Sequence, residues 1–483
     1  MSTVTGAGTA TMKIMKFGGT SVGTADAIRQ TAAIMANSFH EDPDDPPIAI
    51  VSAMGGITNL LLEHARAAAA GDHEAGMRLH QKLLDRHLSA LHELVPNGDA
   101  RTAPLERIQH QVDRCVQLID SVSVLHDLSP RAEDWIVSFG ERLSSVLVSA
   151  AIEAHGVWSV PVDSDDYLVT DGVFGNSSPI MDESRRKAQD LFGPLLADRT
   201  VPVVTGYFGA TESGVVTTLG RGGSDYAATI LGALLNAPEV LIWTDVDGVL
   251  SADPRLVPDA RTLPELSFAE AAELAYFGAK VIHPRTVQPA IEYGMAIWIK
   301  NTFNPDHPGT RIGAEPARNG SVKAITAIGG VSVVTVEGAG LIGVAGITAR
   351  VFSAIGRGGY NVYMISQASS QHSLSFAVRG EDAPAIIRDL EDEFELDLIR
   401  QRLLRIWEDP GVAIVAIVGA GMRGTPGVSG RLFMTLGDAK VNIVTIAQGS
   451  SELNISCVIN ESEIARAVPL LHDEFGLAGT AAD

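Results

Sequence analysis

Residues Met12–Gly23 read MKIMKFGGTSVG. Polar and apolar side chains alternate through Phe17, the period of a strand with two unlike faces. Gly18-Gly19 breaks that strand, and Thr20, Ser21 or Thr24 can cap a helix over Ala25–Ala36. The stretch is therefore strand, glycine turn, helix start, with Lys16 at the strand's end. Free N–H groups at such a turn bind anions, the helix dipole adds to their field, and a lysine brings a full charge. This is phosphate-site chemistry without a Walker A loop, since no G-x-x-x-x-G-K-[ST] occurs in the chain. Taken alone, the same residues also suit an ordinary strand–helix turn with a solvated lysine.

Outward from this stretch the pattern recurs. Ile48–Ser52 is a short apolar strand that runs into Gly55-Gly56, with Thr58 placed to cap a helix over Asn59–Ala70. Val201–Gly206 and Val215–Leu219 are strands, and TLGRGGSDYAA (Thr218–Ala228) feeds a helix to Leu235. In that turn Arg221 offers a planar fork for a carboxylate or phosphate. Asp225 can hold Mg²⁺ or simply stabilise the helix start. Val240–Thr244 and Ala296–Lys300 are further strands. Strands and helices alternate through the first part of the chain, which predicts a mainly parallel α/β sheet with helices on both faces. Ligands in such folds bind beyond the carboxyl ends of the strands, where these glycine turns cluster.

Three local features carry alternatives. His73, His80 and His87 recur every seven residues in a polar helical stretch. Ligands two turns apart, about 10 Å, cannot hold one ion, so a solvated face is expected. Glu141 and Arg142 stand in an apolar helix over Glu133–His155, either as an exposed pair or as functional charges. Asp245, Asp247 and Asp253 suggest a calcium loop, but position twelve from Asp245 is Leu256 rather than glutamate.

The composition narrows the class. The net charge of −22 argues against nucleic acid and anionic membrane surfaces as partners. Cys115 and Cys457 lie in no recognisable motif, so neither a disulfide framework nor a cysteine metal site is expected. The opening MSTVTGAGTAT lacks the features of a signal peptide, and the longest apolar stretch, near Val412–Met422, is too short to span a bilayer. The expectation is a cytoplasmic protein.

The last third contains a duplication. A shift of 81 residues places Gly338, Gly340, Gly343 and Gly346 on Gly419, Gly421, Gly424 and Gly427. The same shift places Arg350 on Arg431, Asn361 on Asn442, Gln367 on Gln448 and Ser375 on Ser456. Each copy reads strand, glycine loop, helix, strand, strand. Such small units are expected to pack together or to pair across subunits, giving a homodimer or larger. A glycine loop beside an Asn and a Gln can hold an amino acid's carboxylate and polar groups; a purely structural pairing module is the alternative.

With these residues on the page, a resemblance follows. KFGGTSV, VSAMGGITNLL, SFGERLSS, TLGRGGSDYAA, WTDVDGVLSADPR and GAKVIHP resemble, in order, the signatures of aspartate kinases in the amino-acid kinase family. The two repeats resemble tandem ACT domains, and MISQASS and IAQGSS are similar to the kinase half of bifunctional aspartokinase–homoserine dehydrogenases. No dehydrogenase domain follows, so a monofunctional enzyme of that lineage is expected. The resemblance implies a kinase domain over 12–310 and ACT-like domains over 322–405 and 410–480. It implies transfer of the γ-phosphoryl of MgATP to the side-chain carboxylate of L-aspartate, with lysine, threonine and methionine synthesis as the default destination. Lys16, with N–H groups of Gly18 and Gly19, would meet the phosphates. Asp225 would hold Mg²⁺, and Thr244, Asp245, Arg255 and Lys280 would surround the nucleotide. Arg221 would clamp a substrate carboxylate, Glu141 would meet its ammonium, and Ser52, Thr58 and Ser224 would supply hydroxyls. Leu250 stands where the family usually has tyrosine. Asn361, Gln367, Asn442 and Gln448 would bind an amino-acid effector, threonine before lysine. The rival readings are a kinase for another carboxylate and an inactive amino-acid sensor.

Overall fold

A computed structural model describes residues 12–277, 282–314, 322–338, 346–368, 372–400, 403 and 405–478. They form two compact units. The first comprises the chain through Val249 together with Pro264–Phe268 and Val281–Glu315. The second comprises Leu250–Leu263, Ala269–Lys280 and Pro316–Asp483. Two segments inside the 12–310 span thus pack with the C-terminal unit. Ser251 Oγ hydrogen-bonds His472 Nε2 at 2.9 Å, and fully buried Glu270 pairs with Lys323 Nζ at 3.0 Å.

The first unit is built on an eight-stranded sheet. Its strands in chain order are β1 (Lys13–Phe17), β2 (Ile48–Val51), β3 (Ser159–Val162), β4 (Val201–Thr205), β7 (Glu239–Thr244), β8 (Glu265–Ser267), β9 (Ala296–Asn301) and β10 (Thr310–Gly313). A separate hairpin is formed by β5 (Phe208–Ala210) and β6 (Val216–Thr218). The spatial order is β3-β4-β2-β1-β7-β9-β10-β8, parallel from β3 to β9, with β10 antiparallel to β9. β1 lies near the centre, hydrogen-bonded to β2 and β7. Burial on both faces explains why β2 reads as an unbroken apolar IAIV.

Helices α1 (Ala25–Glu41), α2 (Ile57–Ala69), α3 (Ala75–Leu94), α4 (Thr102–Leu125) and α5 (Pro130–Ala154) pack with Met15, Phe17, Ala49, Val51 and Trp243 in one core. Ile14, Ile48, Ile50, Val240 and Ile242 alternate to the opposite face and are equally buried. α6 (Met181–Ala197), α7 (Gly223–Leu235), α8 (Phe268–Tyr276) and α9 (Pro284–Tyr293) complete the helices up to that point. Among the described residues α5 alone is long and apolar enough to cross a membrane, and 94% of its apolar window is buried.

Two expectations are corrected here. The histidines do not form a solvated face. His73 precedes α3 and contacts Ser123, His80 faces Asp113, and His87 is fully buried in the stripe with Leu79, Leu83 and Leu91. Thr24 caps α1, accepting from Ala27 N, but Thr58 caps nothing: α2 begins at Ile57 behind Gly56, whose φ of +84° suits glycine.

In the second unit each repeat gains a closing helix that the sequence reading lacked. The first copy is β11 (Ala324–Glu337), α10 (Ile347–Arg357), β12 (Val362–Gln367), β13 (Ser373–Arg379) and α11 (Ala383–Glu393), with a short α12 (Glu395–Ile399). The second is β14 (Arg405–Val418), α13 (Val428–Asp438), β15 (Ile443–Ala447), β16 (Asn454–Asn460) and α14 (Ile464–Glu474). The strands join in one sheet, β12-β13-β11-β14-β16-β15. The duplicated arginines explain themselves. Arg350 pairs with Glu393 at 2.9 Å and lies 4.2 Å over Phe394. Arg431 pairs with Glu474 at 2.7 Å and lies 4.6 Å over Phe475. Each ties the repeat's first helix to its last.

Candidate active site

A cavity of about 420 Å³ opens at the carboxyl ends of β1, β2 and β4, between the N-termini of α2 and α7. Lys16, Gly19, Ser52, Thr58, Glu141, Ser224 and Asp225 all line it. Neither helix has a side-chain cap: Gly56 and Gly222 precede them, with φ of +84° and +69°. Two positive helix ends therefore face one space. A Cβ on Gly222 would lie 2.4 Å from Cβ of His283, so glycine is required there on both counts.

Lys16 is almost buried, and its Nζ lies 2.5 Å from Asp225 Oδ1 at the start of α7. An ammonium and a carboxylate in contact, beside two helix N-termini, make a seat for a polyanion with its cation. The described residues contain no group of three or more His, Cys, Asp or Glu side chains placed to hold a metal ion, so a divalent ion here would share its ligands with phosphate oxygens.

Glu141 and Arg142 resolve as buried charges pointing apart. Glu141 Oε1 accepts from Ala53 N at 3.2 Å, and Oε2 has no partner among the described residues. Burial pushes this carboxyl up to about 8, against the opposing pull of the Ala53 N–H and the Lys16 charge. Arg142 instead binds Asp163 and Asp165, and its guanidinium stacks 4.7 Å from the Phe208 ring. Arg142 is structural; Glu141 faces the cavity.

The remaining expectations separate. Gly18 cannot donate to a phosphate in this arrangement, because its N–H is spent on Trp243 O at 3.1 Å. Arg221 is exposed on the turn before α7 and is not among the residues lining the cavity. Thr244 donates to Asp245 Oδ1 at 3.1 Å, just past the end of β7. Arg255 belongs to the second unit, exposed and paired with Asp253 at 2.6 Å. Leu250, in the same unit, bridges Thr262. Lys280 lies outside the described residues. Asp247 accepts from Asn301 and Asn304, which accounts for one of the three clustered aspartates without calcium. Asn361, Gln367, Asn442 and Gln448 are exposed and flank or end the edge strands β12 and β15. Residues 339–345 of the first glycine loop lie outside the described residues. In the second loop Gly424 N donates to Glu452 at 2.8 Å.

Sequence reading missed Tyr207 and Asp134. Tyr207 lines the cavity with φ of +74°, a strained value for an aromatic residue. Its signal was position: it comes two residues after the end of β4, close to where Gly18 and Ser52 follow β1 and β2. Buried Asp134 accepts from Thr218 N, Thr218 Oγ1 and Gly175 N, and so anchors the strand that leads into the α7 turn.

Residues 11–301 match the amino acid kinase family, and 334–394 and 415–475 match the ACT domain. The chain is 36% identical over 476 residues to the bifunctional aspartokinase/homoserine dehydrogenase of Daucus carota, covering 97% of this chain and 51% of that one. It is 33% identical over 477 residues to aspartokinase 1 of Arabidopsis thaliana, covering 96% and 80%. The crystal structure of E. coli aspartokinase III in complex with aspartate and ADP superposes with a TM-score of 0.79 at 27% identity, covering 96% of this chain and 100% of that one. The unit that carries this cavity belongs to the amino acid kinase class, by its family match over residues 11–301. Within that class, the chain belongs to the aspartokinase family. It spans about half the length of the bifunctional relatives.

Proposed function

We propose that this chain is an aspartate kinase of the cytoplasm, forming 4-phospho-L-aspartate from L-aspartate and MgATP. The observation that carries the reading is the contact between Lys16 and Asp225 on the floor of a cavity that also holds Glu141. The acceptor carboxylate is ionised at neutral pH, with an unperturbed pKa of about 3.9, so no general base is needed. The obstacle is repulsion between an anion and a polyanion, and positioning with fixed cations overcomes it. Lys16 meets the β- and γ-phosphates, with the α2 and α7 N-termini aimed at the same space. Asp225 would hold Mg²⁺, which when bound neutralises phosphate charge. Glu141 takes the substrate ammonium, an ion that draws its carboxyl to the charged form. Ser52, Thr58 and Ser224 supply hydroxyls. Arg221 reaches the substrate's carboxylate only if its turn closes over the cavity, and Thr244, Asp245, Arg255 and Lys280 are assigned to the nucleotide by resemblance alone.

An assay with aspartate, ATP, Mg²⁺ and hydroxylamine tests this reading. Aspartyl hydroxamate should form, and neither acetylglutamate nor glutamate should replace aspartate. No hydroxamate with any of them would leave an amino-acid sensor.

The repeats are proposed to bind an inhibitory amino acid, with threonine favoured. A glutamine amide both donates and accepts, which suits a small hydroxyl beside a carboxylate. Glu452 is already engaged with Gly424, so it is a poor free partner for a lysine ammonium. A structure of E. coli aspartokinase III is described in complex with lysine and aspartate, so lysine is the comparison to run. Gln367→Ala and Gln448→Ala should weaken threonine inhibition about five- to thirtyfold. Inhibition by lysine alone would overturn the assignment.

A further inference from the structure

The start of α7 carries Ser224 and Asp225 to the active-site cavity, where Asp225 meets Lys16. No side chain caps this helix, so its start is placed by the turn before it. That turn, Thr218–Gly222, is gripped from two sides. From α5, buried Asp134 accepts from Thr218 N, Thr218 Oγ1 and Gly175 N. From α9, Arg285 Nη1 donates to Leu219 O at 2.8 Å and to Asn176 Oδ1 at 2.5 Å, and Nη2 donates to Ser177 O at 3.0 Å. An anion and a cation on different helices thus hold the same two segments, 175–177 and 218–219. The segments are themselves joined, Ser177 N donating to Thr218 O at 2.9 Å. Just beyond Leu219, Gly220 has φ of +80°, and a Cβ on it would lie 2.9 Å from Gly175 O. A shift of 175–177 is therefore passed by contact to the turn.

Arg285 stands where a cation is costly. It is the second residue of α9, at the positive end of that helix's own dipole. It is half-buried and makes no ion pair among the described residues. Its guanidinium also lies 4.7 Å from the centre of the Tyr226 ring, in the first turn of α7. Three carbonyl oxygens and an aromatic face call for a planar fork, which a lysine ammonium does not offer. We propose that Arg285 is a positioning residue for phosphoryl transfer, fixing the turn so that the start of α7 holds Asp225 against Lys16. It is not among the residues lining the cavity, so it acts through α7 rather than on the substrate. The proposal rests on the kinase reading of that cavity.

Arg285→Gln and Arg285→Lys, compared with the parent chain in the hydroxamate assay at saturating aspartate and MgATP, test it. Arg285→Gln should lower kcat about 30-fold, and Arg285→Lys, which keeps the charge without the fork, about fivefold. In an Asp225→Asn background the loss from Arg285→Gln should shrink to about threefold, because the group it positions is already gone. A general loss of stability would act equally in both backgrounds. Hydrogen exchange on the full chain reads the turn without turnover. In Arg285→Gln, peptides covering 218–226 should exchange about tenfold faster, and those from α1 to α4 at the parent's rate. Thermal unfolding checks both variants, and Arg285→Lys carries the same comparisons if the glutamine variant does not fold. The proposal is overturned by a kcat for Arg285→Gln within about twofold of the parent, by an undiminished loss in the Asp225→Asn background, or by unchanged exchange at 218–226. A parent chain that forms no hydroxamate would sink the kinase reading instead, and the exchange comparison would still decide whether Arg285 holds the turn.

Discussion

At Glu141 the chain keeps a carboxyl group where burial favours its protonated form, pushed up to about 8. An ammonium in the cavity favours the ionised form, so binding aspartate expels a proton. The KM for aspartate should therefore fall as pH rises from about 6.5 to about 8 and level off above. A flat profile would remove Glu141 from the substrate site. The folded chain holds this proton more tightly than the unfolded chain, whose carboxyl has the ordinary value of 4.5. The group's contribution to stability is thus full below 4.5 and lost as pH rises through about 8. Glu141→Gln should raise the melting temperature at alkaline pH by about 2 °C or more while raising the KM for aspartate about tenfold. At this scale the sequence was half legible. A charge in an apolar helix announces a role, but neighbours on a helix point about 100° apart, and only the fold shows which of Glu141 and Arg142 meets the cavity. Gly18 was read as an anion donor because its competitor, the carbonyl of Trp243, is remote in sequence.

Among the elements, α3 and α4 show how a correct period can carry a wrong environment. The seven-residue spacing of histidines was real, yet the same face carries Leu79, Leu83 and Leu91 and packs inward. His87 donates from Nδ1–H to Leu83 O at 2.8 Å, while Nε2 has no partner among the described residues. Burial depresses its pKa from 6.5 to about 4. The folded chain refuses this proton, so the penalty grows as pH falls from 6.5 towards 4. His87→Leu should lose less melting temperature between pH 7 and pH 5 than the parent chain; equal losses in thermal unfolding would contradict this. The closing helices α11 and α14 escaped notice because the repeat was followed through its glycines and polar residues. Their register is set by Arg350–Glu393 and Arg431–Glu474, pairs visible only once the helices fold back.

On the scale of the molecule, the mainly parallel sheet was legible because each glycine turn follows a short apolar run. The membership of Leu250–Leu263 and Ala269–Lys280 in the second unit was not, since it depends on remote partners such as Ser251 with His472. Among the described residues of the second unit the outer edges of β12 and β15 have no strand partner, and Ile365, Val444 and Ile446 are exposed along them. Apolar edge strands are normally covered. Light scattering at micromolar concentration should give a dimer or larger, and Ile365→Lys with Ile446→Lys should shift it to monomer. A parent chain that is monomeric would refute this assembly. The central claim concerns Lys16, the cation of the stretch on which the fold is organised. The most direct measurement is the rate of aspartyl hydroxamate formation by Lys16→Ala at saturating aspartate and MgATP. The account predicts a fall in kcat of about 10²–10⁴-fold, far exceeding any rise in KM for ATP. A kcat within about threefold of the parent would contradict it.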